Sequence, residues 1–150
     1  MATRHYSEFR ALRNAKKDGK IVRFNLDVLQ YLVDQGADVN AKDNMGRTPL
    51  HDKAAYDADF DMMKCLVENG ADVNAKTDKN ATPLHFAADN GYHSSIHFLG
   101  LLIENGADVN VKTSDGRIPL DVAFTEEKKE ILRNAGGKRA AELMLENRRE

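Results

Sequence analysis

A seven-residue string that occurs three times constrains the fold of this chain more than any other feature. The copies read Gly-Ala-Asp-Val-Asn-Ala-Lys at Gly36 and Gly70 and Gly-Ala-Asp-Val-Asn-Val-Lys at Gly106. They are spaced 34 and 36 residues apart. Self-similarity at a period near 33 residues indicates stacked units, because a unit of that length cannot bury its apolar face alone. The sequence therefore predicts a solenoid of repeated units.

A second shared string follows each copy and predicts where helices begin. It reads Thr48-Pro49-Leu50-His51, then Thr82-Pro83-Leu84-His85, then Ile118-Pro119-Leu120-Asp121. Thr caps free helical amides, and Pro at the first helical position loses no needed hydrogen bond. A glycine after each apolar helical run supplies the left-handed residue that ends a helix. Each unit is thus predicted to be a turn, a helix, a link, a second helix and a glycine stop.

The turn before each Thr-Pro or Ile-Pro pair also follows from residue type. Gly46 is free to take a positive φ, and Asn80 occupies the equivalent place in the next copy. Asn is the residue other than Gly that tolerates this conformation. We therefore expect Asn80 to adopt it.

With these strings the chain resembles the ankyrin-repeat family, strongly over about residues 36–123 and weakly at both ends. The resemblance implies an all-α fold, an ankyrin-repeat solenoid of about four helix–turn–helix repeats with projecting β-hairpin-like loops. Residues 1–150 would form a single ankyrin-repeat domain. Its parts would be an N-terminal capping repeat (1–40), two repeats (41–75 and 76–111), and a C-terminal capping repeat plus an extra helix (112–150).

Two departures from the family pattern leave local alternatives open. Between His51 and the alanine pair Ala54-Ala55 there is one residue more than the family spacing. A π-bulge or a shifted cap could absorb the rotation of about 100° that one residue adds. After Gly91 there are three extra residues, so the second helix either starts a turn early, capped by Ser94 or Ser95, or follows a longer loop that carries Tyr92 and His93 outward.

The two ends are predicted with less regular units. At the N-terminus, Ser7 is expected to cap a helix from Glu8 to about Lys17, and a second helix covers Leu26 to Val33. In the last repeat, Ile118 lacks the capping hydroxyl of Thr, so Ile118→Thr is expected to stabilise the chain by about 0.5–1 kcal/mol.

Charge and composition exclude several classes of function. The net charge is −2, with a basic N-terminal stretch and an acidic middle, so no global attraction to nucleic acid is expected. The one cysteine, Cys65, cannot form an internal disulfide, and no apolar run approaches the length of a membrane span. We expect a monomeric cytoplasmic protein with no bound metal or other cofactor; the His93–His97 pair lacks a third ligand nearby in sequence.

The sequence predicts no enzyme, because no nucleophile–base grouping stands apart from the repeats. We expect a non-catalytic module that binds a protein partner through its concave face. The alternatives are an inhibitor that blocks the face of an enzyme, which a turnover assay would reveal, and a fragment of a larger repeat protein. The family register implies that partner-binding residues lie on loop tips and first helices: Asn44, Met45, Arg47, Tyr56, Asp57, Asp78, Lys79, Ala81, Asp89, Asn90, Ser114, Asp115 and Arg117.

Overall fold

The computed structural model describes residues 16–17, 20–21, 26–56, 59–92 and 95–149. Within them, the strands β1 (Lys16–Lys17) and β2 (Lys20–Ile21) precede eight helices. The helices are α1 (Leu26–Asp34), α2 (Pro49–Tyr56), α3 (Phe60–Glu68), α4 (Pro83–Asp89), α5 (Ser95–Glu104), α6 (Pro119–Val122), α7 (Glu126–Asn134) and α8 (Ala140–Asn147). The all-α solenoid expected from the repeats is confirmed.

The helix expected to run from Glu8 to Lys17 is wrong at its end. Lys16 and Lys17 form β1, which pairs antiparallel with β2. The dipeptide between the strands in sequence, Asp18-Gly19, is of the kind that favours two-residue hairpins over helix. The remainder of that expected helix lies outside the described residues. The second expected helix is confirmed as α1.

The helices stack in two layers with one core between them. The first helices of successive units, α2, α4 and α6, pack side by side, and so do the second helices α1, α3, α5 and α7. Short residues of the first layer, such as Ala54 and Ala88, meet long apolar residues of the second layer, such as Leu66 and Leu102, and all four are buried. Burial of this continuous row is the main stabilising term, since it removes apolar surface from water.

The extra residue expected in α2 is absent, because the helix continues without a π-turn. Counted from the proline, Lys53 takes the place of Ala87, and Ala54 takes the place of the second alanine, Ala88. Both Ala54 and Ala88 are fully buried, whereas Lys53 is only half-buried. The register is therefore the same in both units, and a lysine replaces one alanine.

The insertion after Gly91 lies mostly in the link between helices. The second helix α5 begins at Ser95 and has ten residues, against nine in α3. Ser95 is its first residue and is buried, and its hydroxyl donates to the carbonyl of Tyr92. Tyr92 points outward, as the longer-loop alternative predicted. His93 and Ser94 lie outside the described residues.

Ile118 is fully buried, which reverses the expected effect of replacing it with Thr. Its side chain belongs to the core, and its amide donates to the Asp121 carboxylate over 3.1 Å. That amide therefore already has its cap, supplied from three residues further on. Placing a hydroxyl in the apolar surroundings of Ile118 would lose buried apolar surface without satisfying a free amide.

The repeated Asn of the first string ties each unit to the next. The Asn40 amide nitrogen donates to the Gly70 carbonyl at 2.9 Å, and its oxygen accepts from the Asp72 amide at 2.7 Å. Asn74 makes the same pair of bonds to the following unit, and Asn110 bonds Gly136 and Lys138. These bonds satisfy the backbone where each second helix ends.

Candidate functional site

The loops that project before each first helix are closed by backbone hydrogen bonds. In the first loop the Asp43 amide donates to the Arg47 carbonyl at 2.9 Å, and Thr77 and Thr113 make the equivalent bonds to Ala81 and Arg117. Asn80 has a φ of 58°, while Gly46 and Gly116 lie at 72° and 84°. The expectation that Asn80 replaces a glycine at positive φ is confirmed.

Neighbouring loops are bonded to one another, so their tips form one row. The Asp78 amide donates to the Met45 carbonyl at 3.1 Å, and the Ser114 amide donates to the Lys79 carbonyl at 2.9 Å. A Cβ on Gly46 would lie 2.9 Å from the Asp78 amide nitrogen and 2.7 Å from its carboxylate. Gly46 is therefore required both by its φ and by the close approach of the next loop.

The histidines of the second string hold the first helices in register. The Thr48 amide donates to Nδ1 of His51 at 3.0 Å, so the ring proton must sit on Nε2. Nε2 then donates to the Ala81 carbonyl of the next unit at 3.1 Å. His85 bonds Thr82 and the Arg117 carbonyl in the same way.

Burial sets the protonation state of these rings. It lowers the pKa of His51 to about 4 and also lowers the pKa of His85. Both rings are therefore neutral near pH 7, as their acceptor role at Nδ1 demands. They connect repeats and are not available as general bases.

Most of the predicted loop residues lie on open surface. Side chains that are exposed, and so free of packing demands, belong to Asn44, Met45, Asp78, Lys79, Ser114, Asp115 and Arg117, whereas Ala81 is half-buried. On the first helices, Tyr56 and Asp89 are exposed as expected. Asp57 lies outside the described residues.

Arg47 is less available to a partner than its place in the loop suggested. Its guanidinium pairs with Asp43 at 3.0 Å and with Asp52 at 3.5 Å, and it is half-buried. Burial raises the pKa of Asp43, but hydrogen bonds from the Arg47 and Met45 amides and the Arg47 side chain outweigh this and hold the pKa below its usual value. Arg47 thus closes its own loop.

Asn90 is not on the open surface where it was expected. It is buried, and its amide nitrogen donates to the Ala54 and Ala55 carbonyls at 3.0 and 3.1 Å. These carbonyls belong to the last turn of α2, which would otherwise leave them without partners. Asn90 therefore caps the preceding repeat.

A cavity of about 200 Å³ lies between the first helices α4 and α6 on the face that carries the loops. It brings together three of the predicted residues, Ala81, Asp89 and Arg117. Phe86 and Val122, both half-buried, supply apolar lining that the sequence analysis did not single out. The sequence could have identified them, because Phe86 and Val122 each stand three residues after the helix-starting proline. The first of the three units has a polar residue, Asp52, at that position.

Lys128 is a second feature that the sequence analysis missed. It is fully buried in α7, and its ammonium donates to the Ala87 carbonyl at 2.9 Å and to the Asn90 carbonyl. Burial lowers its pKa, an effect that the charge of Asp89 partly offsets. Lys128 caps α4 as Asn90 caps α2, so in both cases a side chain of the following unit closes the first helix of the one before it.

The remaining reactive side chains have structural surroundings. Cys65 is buried and unpaired as a disulfide, and burial raises the pKa of its thiol. His97 lies edge-on to Phe60, with ring centroids 6.3 Å apart. Among the described residues, no three His, Cys, Asp or Glu side chains are grouped to hold a metal ion, and no helix is long and apolar enough to cross a membrane.

Comparison with known proteins agrees with this architecture. The family model for ankyrin repeats (three copies) matches residues 20–113 and again residues 53–134. No curated protein matches the chain significantly. The family matches cover most of the chain, and the stacked helix pairs, projecting loops and Thr-Pro-Leu-His bonds are all present. The chain therefore belongs to the ankyrin-repeat family.

Proposed function

We propose that this chain is a non-catalytic module that binds a protein partner through its loop tips and the exposed parts of its first helices. Ankyrin repeats in general are protein–protein interaction modules. The observation that carries the proposal is the bonded row of loops, which presents exposed side chains on a rigid frame. A rigid surface binds with little loss of conformational freedom.

The chemistry of the exposed residues supports binding over catalysis. Met45 is a flexible apolar side chain at the tip of the first loop, and Lys79 is a cation at the tip of the next. The cavity between α4 and α6 adds an apolar lining from Phe86 and Val122. Apolar anchors flanked by polar groups are typical of binding hot spots. His51 and His85 are neutral and bonded between repeats, and the Cys65 thiol is buried.

We further infer that residues 1–150 act as one domain, with repeats at 1–40, 41–75, 76–111 and 112–150. The module is proposed to be a monomer in a reducing compartment such as the cytoplasm, where the buried thiol of Cys65 stays reduced. Sedimentation equilibrium would contradict this part if the chain proved to be a dimer at micromolar concentration.

The test compares two faces of the solenoid with one partner recovered from the native cell. Met45→Ala combined with Lys79→Ala removes two exposed tip side chains and leaves the backbone bonds that close the loops, whereas Arg47→Ala would also remove the ion pairs that hold its loop. We expect the tip variant to weaken binding by about 2 kcal/mol or more, as for loss of a hot spot.

The matched control is Lys64→Ala on α3, whose ammonium makes only a 3.7 Å exposed pair with Glu68. We expect it to leave affinity unchanged, and both variants to keep the unfolding midpoint of the parent chain. Calorimetric titration measures the affinities. Full binding by the tip variant together with a loss in Lys64→Ala would place the site on the second helices and overturn the proposal.

A further inference from the structure

Asn90 is a buried polar residue at which hydrogen bonds from three repeats meet. It directly follows α4, and its backbone amide donates to the Phe86 carbonyl at 3.0 Å. Its side-chain oxygen accepts from the Tyr92 amide at 2.8 Å, which fixes the side-chain nitrogen on the opposite side. Asn90 is thereby held in one orientation, because a rotation would leave buried polar groups without partners.

The two remaining polar groups of Asn90 connect it to different repeats. Its side-chain nitrogen donates to the Ala54 and Ala55 carbonyls of α2, in the preceding repeat, at 3.0 and 3.1 Å. Its carbonyl accepts from the ammonium of Lys128 in the last repeat, and the same ammonium donates to the Ala87 carbonyl at 2.9 Å. Asn90 is therefore bonded at once to the repeats on both sides of its own.

The preceding repeat has neither of the two residues that make this arrangement. Counted from the helix-starting proline, Tyr56 takes the place of Asn90, and its side chain is exposed. Counted from the glycine stop, Phe98 of the repeat at 76–111 takes the place of Lys128, and a phenyl ring cannot donate a hydrogen bond to a carbonyl. The last turn of α2 therefore takes its cap from Asn90, whereas α4 takes its cap from Lys128.

We propose that Asn90 is a relay through which the last repeat stabilises the last turn of α2, two repeats away. Without the Lys128 donor, the Asn90 carbonyl either moves to reach another donor or stays buried and unpaired, at a cost. A movement of that carbonyl also shifts the side-chain nitrogen away from α2, because both groups belong to one residue. A solenoid in which each unit senses only its direct neighbours would show no such effect.

The relay lets a change at the last repeat reach the first-helix surface of the repeat at 41–75. Tyr56, the last residue of α2, is exposed on that surface. A contact that displaces α7 and withdraws Lys128 would loosen the turn that holds Tyr56. The relay depends only on the hydrogen bonds at Asn90, so it stands or falls separately from partner binding at the loop tips.

Hydrogen exchange of the folded full chain, followed by NMR, tests the relay. The readout is the exchange rate of the Ala55 and Tyr56 amides, which lie in the last turn of α2. Lys128→Met keeps the volume of the lysine without its donor, and we expect it to speed this exchange about fivefold, the effect of losing one hydrogen bond. Leu132→Ala is the control, because it weakens the packing of the same helix, α7, but leaves the Lys128 donor in place.

A double-mutant cycle separates the relay from a general loosening of the chain. Asn90→Ala removes the cap of α2 directly and should speed exchange at Ala55 and Tyr56 about tenfold. Adding Lys128→Met to Asn90→Ala should then change nothing further at these two amides, because the connection is already cut.

A reciprocal measurement decides the question should Lys128→Met not fold. Coupling between two sites acts equally in both directions. Asn90→Ala should therefore also speed exchange at the Lys129 amide, which bonds the Thr125 carbonyl in the first turn of α7 at 3.1 Å.

Three results would each overturn the relay. The first is an unchanged exchange rate at Ala55 and Tyr56 in Lys128→Met, or an equal acceleration by Leu132→Ala. The second is an effect of Lys128→Met on these amides that is as large with Ala at position 90 as with Asn90. The third is an unchanged Lys129 amide in Asn90→Ala.

Discussion

The interior repeat at 76–111 and the last repeat at 112–150 share one backbone frame but differ in what their second helices present. Counted from the glycine stops Gly106 and Gly136, three apolar residues of α5 correspond to three cations of α7: Phe98 to Lys128, Leu99 to Lys129 and Ile103 to Arg133. The frame bonds are nevertheless retained, since Asn110 bonds the following segment as Asn74 does.

The reason for the difference is the number of neighbours. The second helix α5 packs against both α3 and α7, so its apolar side chains are covered on two sides. The corresponding surface of α7 faces the end of the stack, where Lys129 and Arg133 line a polar cavity with Arg139. Terminal repeats with polar outer faces keep a solenoid soluble. The residues that form the hydrogen bonds between repeats are therefore different from those that decide whether the outer face of a second helix is apolar or charged.

The largest expected loss of stability comes from a core leucine that is covered by repeats on both sides, compared with a core leucine in the last repeat. Leu102→Ala should lower the free energy of unfolding by about 2–5 kcal/mol, because it opens a cavity between two repeats. Leu132→Ala, equally buried but in α7, should fall at the low end of that range, since the terminal unit can relax around it. Urea unfolding measures both. A smaller loss for Leu102→Ala than for Leu132→Ala would contradict the explanation from the number of neighbouring repeats.

A comparable loss is expected at Lys128, the charged residue in a core position. Lys128→Ala should destabilise by about 3 kcal/mol, because the Ala87 and Asn90 carbonyls lose their donor and a cavity is left. Lys128→Met refills the volume without restoring the donor and should recover about half of this. Equal stability of Lys128→Met and the parent chain in urea would show that the bonds to the carbonyls contribute nothing.

The histidine bonds make a prediction about pH that the last repeat, with Asp121, does not share. Burial lowers the pKa of His51 to about 4 in the folded chain, against about 6.5 when unfolded. The unfolded chain therefore takes up this proton first as pH falls. The contribution of the neutral His51 ring to the free energy of unfolding is fully present above about pH 6.5. It is lost progressively as the pH falls to about 4, and the total loss is about 3 kcal/mol.

NMR titration of the His51 ring carbons checks this directly. A folded-state midpoint near 4 is expected, and a midpoint near 6.5 would mean that the ring is solvated. Asp121→His offers a matched comparison, because its new ring would have no following repeat to receive the Nε2 proton.

The smallest stability effect is expected at the start of α6. Ile118→Thr should cost about 1 kcal/mol, because it removes buried apolar surface while Asp121 still caps the amide. Guanidinium unfolding of the two chains resolves a change of that size. If Ile118→Thr instead stabilised the chain, the gain from a capping hydroxyl would outweigh the loss of buried apolar surface at this position.

The repeated strings predicted the fold and the exposure of most loop-tip residues, because these features depend on local chemistry. Positive φ at Asn80, proline at helix starts and exposure of Met45 each depend on a few neighbouring residues. Burial of Asn90, Lys128 and Ile118 could not be obtained this way. The contacts of the first two are with another repeat, 36 positions away for Asn90 and 41 for Lys128.

The same limit explains Arg47, whose family position suggested open surface. The carboxylates that hold it, Asp43 and Asp52, are close in sequence, but only the folded loop shows that both reach one guanidinium. Aligning the repeats on their prolines would have revealed Phe86 and Val122. That alignment also shows Lys53 in an alanine position instead of an inserted residue.

The most direct test of the proposed binding face is hydrogen exchange of the chain with and without its native partner. The proposal predicts added protection at the amides of the exposed tips, such as Met45, Lys79 and Asp115, and in the first helices beside them. It predicts no added protection along the outer side of α3 and α5, at Lys64, Glu68 or Glu104. Protection confined to those second-helix positions, with unchanged exchange at the tips, would contradict it.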